Sequence, residues 1–219
     1  LLFLGKFTII TDPVTVDKKD IETFAHEYLK EQGIKLSSDW NKNISFEITA
    51  GQADKYIWRE WGRDVYRKLV GSYLTPTKWQ VRFTNPKATV EERAEEYNFF
   101  FRNDGKLTGF KHNLPEELEG VFLEQKEAEK LCHDFVETWF NITLSEYKEL
   151  SIEAVMRPAR RDWIFVYADT LSELTFDNQL QVKICIAGDK VISYEKFIKT
   201  PELWQREYTN TSKSAKIIK

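Results

Sequence analysis

Apolar residues recur at helical spacing in three stretches of the chain. Ile21, Phe24, Ala25, Tyr28 and Leu29 follow the i, i+3, i+4, i+7, i+8 template, which predicts a helix over 17–32 with Asp17 as N-cap and Gly33 as stop. Ala128, Leu131, Cys132, Phe135 and Val136 repeat the template and predict a second helix over 124–140, with no capping residue before it. A third, over about 63–74, turns Tyr66, Leu69, Val70, Tyr73 and Leu74 inward and ends before Pro76, after a short helix over 53–61.

Between these stretches the period changes to two. Ile44, Phe46 and Ile48 alternate with polar residues, as do Trp79, Val81 and Phe83, and each run predicts a half-buried strand. Residues 163–167 are apolar on both faces and predict a strand flanked on both sides. Asn103-Asp104-Gly105 joins the strands predicted at 97–102 and 106–112, and Ala187-Gly188-Asp189 joins those at 181–186 and 190–197. Asp-Gly and Gly-Asp supply the positive φ of a tight hairpin.

The two halves match each other. Trp79 aligns with Trp163 at an offset of 84 (163 − 79), and the same offset carries Phe83 onto Tyr167, Lys106 onto Lys190 and Phe110 onto Tyr194. Pro115-Glu116 then aligns with Pro201-Glu202 at 86 (201 − 115). Phe99 and Phe101 fall on Lys183 and Cys185, which implies a one-residue shift in at least one strand. The reading is an α+β fold of two tandem units over 17–119 and 120–208. Each is a helix packed on a small antiparallel sheet, and the first carries a helical insertion at about 53–74. A segment over 1–16 precedes them and a polar tail over 209–219 follows. The apolar run Leu1-Leu2-Phe3-Leu4 and the closing Ile217-Ile218-Lys219 read either as stubs beside membrane helices or as an ordinary strand and tail.

Composition narrows the function by exclusion. The net charge is −3, whereas phosphate backbones demand a clustered positive field, so nucleic acid is not an expected partner. Two cysteines, Cys132 and Cys185, leave two readings open: separately buried small apolar residues, or one helix-to-sheet disulfide. His26, His112 and His133 lack metal-ligand spacing, and no nucleophile elbow or phosphate-cradling glycine loop occurs, so no catalytic, metal or cofactor residue is expected. Glu91, Glu92, Glu95 and Glu96 with Arg93 form a charged run that reads as a solvated loop or short helical turn. Candidate interaction residues are Arg157, Arg160 and Arg161, whose guanidinium forks suit carboxylates or phosphates, and Trp58 and Trp61 in the insertion.

The segments Trp79–Phe83 and Phe99–Glu117, with Arg160-Arg-Asp-Trp163, Ile186-Ala-Gly-Asp189 and Thr200–Arg206, resemble a known extracytoplasmic region. It precedes the membrane-embedded core of some bacterial CAAX-protease-like (CPBP family) intramembrane endopeptidases, and each half also resembles a PepSY-type unit. The resemblance spans roughly residues 17–208. It implies a non-catalytic sensing, docking or regulatory domain outside the cytoplasm, partnered with the membrane-embedded remainder of the same protein or with an extended peptide. The family's Glu-Glu-x-x-x-Arg hallmark is absent, because Glu91-Glu92 is followed by Glu96 and Glu95-Glu96 by Phe100. The alternatives are a free-standing secreted or lipoprotein binding module, such as a protease inhibitor, and an enzyme with an unfamiliar site.

Overall fold

The computed structural model describes residues 7–85, 95–172, 174 and 178–217, with side chains up to residue 210. The acidic pair Glu91-Glu92, Arg93 and the opening Leu1–Leu4 run lie outside the described residues.

Asp17 takes the cap role that its position predicts. Its Oδ1 accepts from the backbone N–H of Lys19 and Asp20 at 2.6 and 3.0 Å, while Asp20 Oδ2 accepts from the Asp17 N–H at 2.9 Å. Helix α1 runs Lys18–Glu31 and stops at Gly33, whose φ of 68° is left-handed. Strand β1 (Asn41–Ile48) follows, then helices α2 (Gln52–Glu60) and α3 (Gly62–Leu69), strands β2 (Thr77–Thr84), β3 (Glu96–Phe101) and β4 (Leu107–Asn113), and helix α4 (Gln125–Phe140). Strands β5 (Lys148–Arg157), β6 (Arg160–Ala168), β7 (Leu180–Ala187) and β8 (Lys190–Ile198) and helix α5 (Glu202–Ile217) complete the order.

Helix α3 is shorter than its apolar pattern predicts. Gly71 has φ 81°, and the N–H groups of Ser72, Tyr73 and Leu74 all bond back to the Leu69 carbonyl, so the chain closes into a turn. Tyr66, Leu69, Tyr73 and Leu74 are buried all the same, and Val70 is partly buried. Residues 209–217 of the segment that reads as a polar tail are the second half of α5.

The chain is α+β, with the eight strands in one antiparallel sheet of order β1-β2-β3-β4-β8-β7-β6-β5. The sequence leads one to expect two small sheets; instead β4 and β8 join edge to edge, pairing Phe110 with Tyr194 and Lys111 with Ser193. Phe110 and Tyr194 are the residues that the 84 offset superimposes. One apolar row therefore crosses the whole sheet through Ile44, Val81, Phe99, Phe110, Tyr194, Ile184, Phe165 and Ile152. Gly109 allows this close approach, since a Cβ there would stand 2.9 Å from the Tyr194 carbonyl oxygen.

Helices α1 and α4 both lie on the face that carries this row. Ile21, Ala25, Tyr28 and Leu29 of α1 and Ala128, Cys132, Phe135 and Val136 of α4 enter one shared core with Phe99, Phe110, Phe165 and Ile184. Those two helical sets stand at a constant offset of 107 (128 − 21). Phe135 is buried as its stripe predicts, whereas Phe24 is only partly so. The strand pairing departs from the offset of 84 by one residue. Val81 pairs with Phe99, and Phe165 with Ile184, so β3 and β7 correspond at 85 (184 − 99). Each has a bulge at its end, at Phe100/Phe101 and Cys185/Ile186.

A second cluster binds the insertion to the other half. Tyr56, Ile57, Tyr66, Leu69, Tyr73 and Leu74 pack on Leu180 and Ile198 at the ends of β7 and β8, with Trp204 of α5 against them. The Tyr73 hydroxyl donates to Asp169 Oδ2 at 2.7 Å and the Tyr56 hydroxyl to Gln179 Oε1 at 3.1 Å. Both cysteines are free. Cys132 lies in the helix-side core, while Cys185 pairs with Ser193 on the opposite face, so the sheet separates them and the disulfide reading falls.

Candidate functional site

The three arginines converge, but on the chain itself. Arg160 is 3% exposed and its Nε donates to Asp162 Oδ1 at 2.8 Å. Its Nη1 donates to the carbonyls of Pro115 and Leu118 at 2.9 and 2.6 Å. Arg157 spans Asp162 and Glu116 at 3.2 and 3.0 Å, and Arg161 donates to the Leu123 carbonyl and to Glu124 at 3.0 and 2.8 Å. Together they clamp the connection between β4 and α4 onto the β5–β6 hairpin. Glu124, thus occupied, leaves the cap of α4 to Glu127, whose carboxylate accepts from the Glu124 N–H at 3.0 Å. Arg157 is the most exposed of the three, its side chain 31% exposed against 22% for Arg161 and 4% for Arg160.

The two insertion tryptophans diverge. Trp58 is partly buried, edge-on to Phe7 and Tyr66 with centroids 5.3 and 5.4 Å away, while Trp61 is 44% exposed. Beneath them Asp54 is buried, accepting from the Gly51 N–H at 2.8 Å and the Tyr66 hydroxyl at 3.0 Å. Burial holds its carboxyl above the ordinary aspartate range despite these bonds. The folded state therefore holds the proton more tightly than the unfolded chain, and stability falls as pH rises from the ordinary aspartate range through the raised one. Asp54→Asn is expected to remove that slope, which urea titrations between acidic and neutral pH will read; an unchanged slope would discount the burial of Asp54.

Two of the three histidines occupy matching helical positions. His26 and His133 stand at the helical offset of 107 (133 − 26), and each meets an equivalent ring edge-on: Phe83 at 5.4 Å and Tyr167 at 6.1 Å. His112 stacks on Tyr97 with centroids 3.8 Å apart, and its Nε2 lies 2.7 Å from Glu95 Oε1, a contact that lowers the Glu95 carboxyl below its usual range. Among the described residues no three His, Cys, Asp or Glu side chains gather as a metal site requires.

The sheet ends in two edges, β1 and β5. Strand β5 is ten residues long and, among the described residues, pairs only with β6. Its helix-side row is Ile152, Ala154 and Met156, the last 62% exposed. Natural edges are usually blunted by charge or bulges. Here a bulge at Glu149/Ser151 and the end residues Lys148, Glu149 and Arg157 guard the ends, leaving Glu153 as the one charge between Ile152 and Met156. The sequence reading delimits no strand here, although Leu150, Ile152, Ala154 and Met156 alternate as a strand should. Among the described residues no helix is long and apolar enough to cross a membrane. No protein-family model, no curated protein and no solved structure matches the chain.

Proposed function

We propose that this chain is a non-catalytic docking or sensing domain, and that it takes an extended peptide as an added strand on β5. The supporting observation is that edge: a long strand with one open side, Ala154 and Met156 exposed on its apolar row, and Glu153 as the one charge between Ile152 and Met156. Main-chain bonds to an added strand supply affinity, and the alternate side chains at Ile152, Ala154 and Met156 supply selectivity. The resemblance implies a domain outside the cytoplasm of a bacterium, beside a membrane-embedded CAAX-type protease core in a longer protein. In that setting β5 would hold a segment of the membrane-embedded part or of a substrate.

The test uses short peptides selected on the full chain from a random display library. Amide shifts in ¹⁵N spectra should map their binding to residues 151–157, and Ala154→Lys, which puts a charge on an exposed position, should weaken it by about tenfold, or ~1.4 kcal/mol. Mass spectrometry should recover the peptides uncut, with or without chelator. Binding that maps away from β5 would discard the edge. Chelator-sensitive cleavage lost on substitution of His26, His112 or His133 would discard the non-catalytic reading.

A further inference from the structure

The seam where the two half-sheets meet carries a second kind of site, independent of the β5 edge. A cavity of about 410 Å³ opens there, lined by Lys78, Lys111, Lys183 and Lys196 with Glu195 as its one carboxylate. Such a gathering runs against a chain whose net charge is −3. The lysines are also poorly neutralised. Lys78 and Lys183 stand 3.7 and 3.9 Å from Glu47 and Glu195, near the outer limit for an ion pair. Among the described residues neither Lys111 nor Lys196 has a carboxylate within that distance.

Aromatic rings hold two of these ammonium groups instead. Lys78 lies over Phe100 at 5.0 Å and Lys196 over Tyr73 at 5.2 Å. A ring face orients a cation and stabilises it modestly without cancelling its charge, so the field in the cavity survives. Burial also pulls the Lys196 amine below its usual range, the mark of a charge held where water is scarce. Tyr194, 1% exposed, also lines the cavity. A smaller recess of about 160 Å³ shares Ser72, Thr108, Tyr194 and Lys196 and adds Arg102 and Lys106.

The position in the fold supports the same conclusion. The first half exceeds the second by the insertion, and the turn that ends it brings Ser72, Tyr73 and Thr75 to the cavity. The place where the repeat departs from itself is thus the place where the cations collect. We infer that the seam cavity binds a small ligand carrying a carboxylate or phosphate group on an aromatic or apolar body, with Lys111 and Lys183 beside Ser193 receiving the anion and Phe100 and Tyr73 the body.

Titrations of the ¹⁵N-labelled full chain with benzoate, phenyl phosphate and inorganic phosphate, at constant low ionic strength, test this and separate the two anions. Phenyl phosphate or benzoate should shift the amides of residues 109–111, 183 and 193–196 saturably, and more tightly than inorganic phosphate. Lys111→Gln and Lys183→Gln should each weaken that binding about tenfold, while Lys19→Gln, on the far side of α1, leaves it unchanged. The same spectra show whether each variant is folded, and a Lys111→Arg variant, which keeps the charge, should retain binding. Shifts that track ionic strength alone, fail to saturate up to about 10 mM, or persist in both glutamine variants would overturn the assignment.

Discussion

Phe135→Ala is expected to destabilise the chain by about 3–5 kcal/mol, the range for a large aromatic removed from a core that cannot collapse around the gap. Phe135 is 8% exposed and packs against Phe110 of β4 at 5.4 Å, with Trp139 and Phe140 also in ring contact. It thus belongs to a helix of the second half but seals a strand of the first. The neighbours that would have to move inward include Tyr28, itself fixed by Phe99, Phe110 and Trp139. Because both helices share one core, tryptophan fluorescence and far-ultraviolet circular dichroism should report a single urea transition, shifted as a whole in the variant. Two transitions, with only one displaced, would mean that the halves fold separately and that the seam is weaker than the apolar row implies.

Arg160→Met should cost a comparable amount, about 3 kcal/mol, for an electrostatic reason. The guanidinium is buried with Asp162, and breaking such a pair by removing one partner leaves the other charge without compensation. The carbonyls of Pro115 and Leu118 lose their donor as well. Arg157, 3.2 Å from Asp162 on its other side, keeps the loss at the lower end of the usual 3–5 kcal/mol for a buried pair. Adding Asp162→Leu to Arg160→Met should recover part of the stability, since an apolar pair removes the orphaned charge. A double variant no more stable than the single one would show that the carbonyl bonds, and not the ion pair, dominate.

These arginines show how far the sequence can be read. A cluster of three cations around a Pro-Ala turn is visible in one dimension, and so is the affinity of guanidinium forks for carboxylates. What they grip is decided by residues 38 to 45 positions away, the Leu123 carbonyl for Arg161 and the Pro115 and Leu118 carbonyls for Arg160, and by the fold that returns them. The histidines make the same point in reverse. Three of them look scattered along the chain, yet two occupy one position of the repeat, which only the common helical offset and the matching rings at Phe83 and Tyr167 reveal.

Local physics was therefore legible from the sequence alone. The helical stripes, the capping aspartate at Asp17, the alternating strands and both glycine hairpins depend on neighbours within a few residues, and they appear in the structure near where their patterns put them, with α3 ending short of its pattern. The edge strand β5 left a weaker trace, because neither of its faces is fully covered and burial is what sharpens a period of two. Tertiary structure alone decided that the strands would merge into one sheet. That outcome rests on a two-pair contact between β4 and β8, a glycine small enough to let the backbones meet, and a core that one helix could not have closed by itself. It also gathered Lys78, Lys111, Lys183 and Lys196, which are spread over more than a hundred positions of the chain, around a single cavity. Charges so far apart in sequence carry no common signal until pairing of the strands brings their side chains onto the same seam.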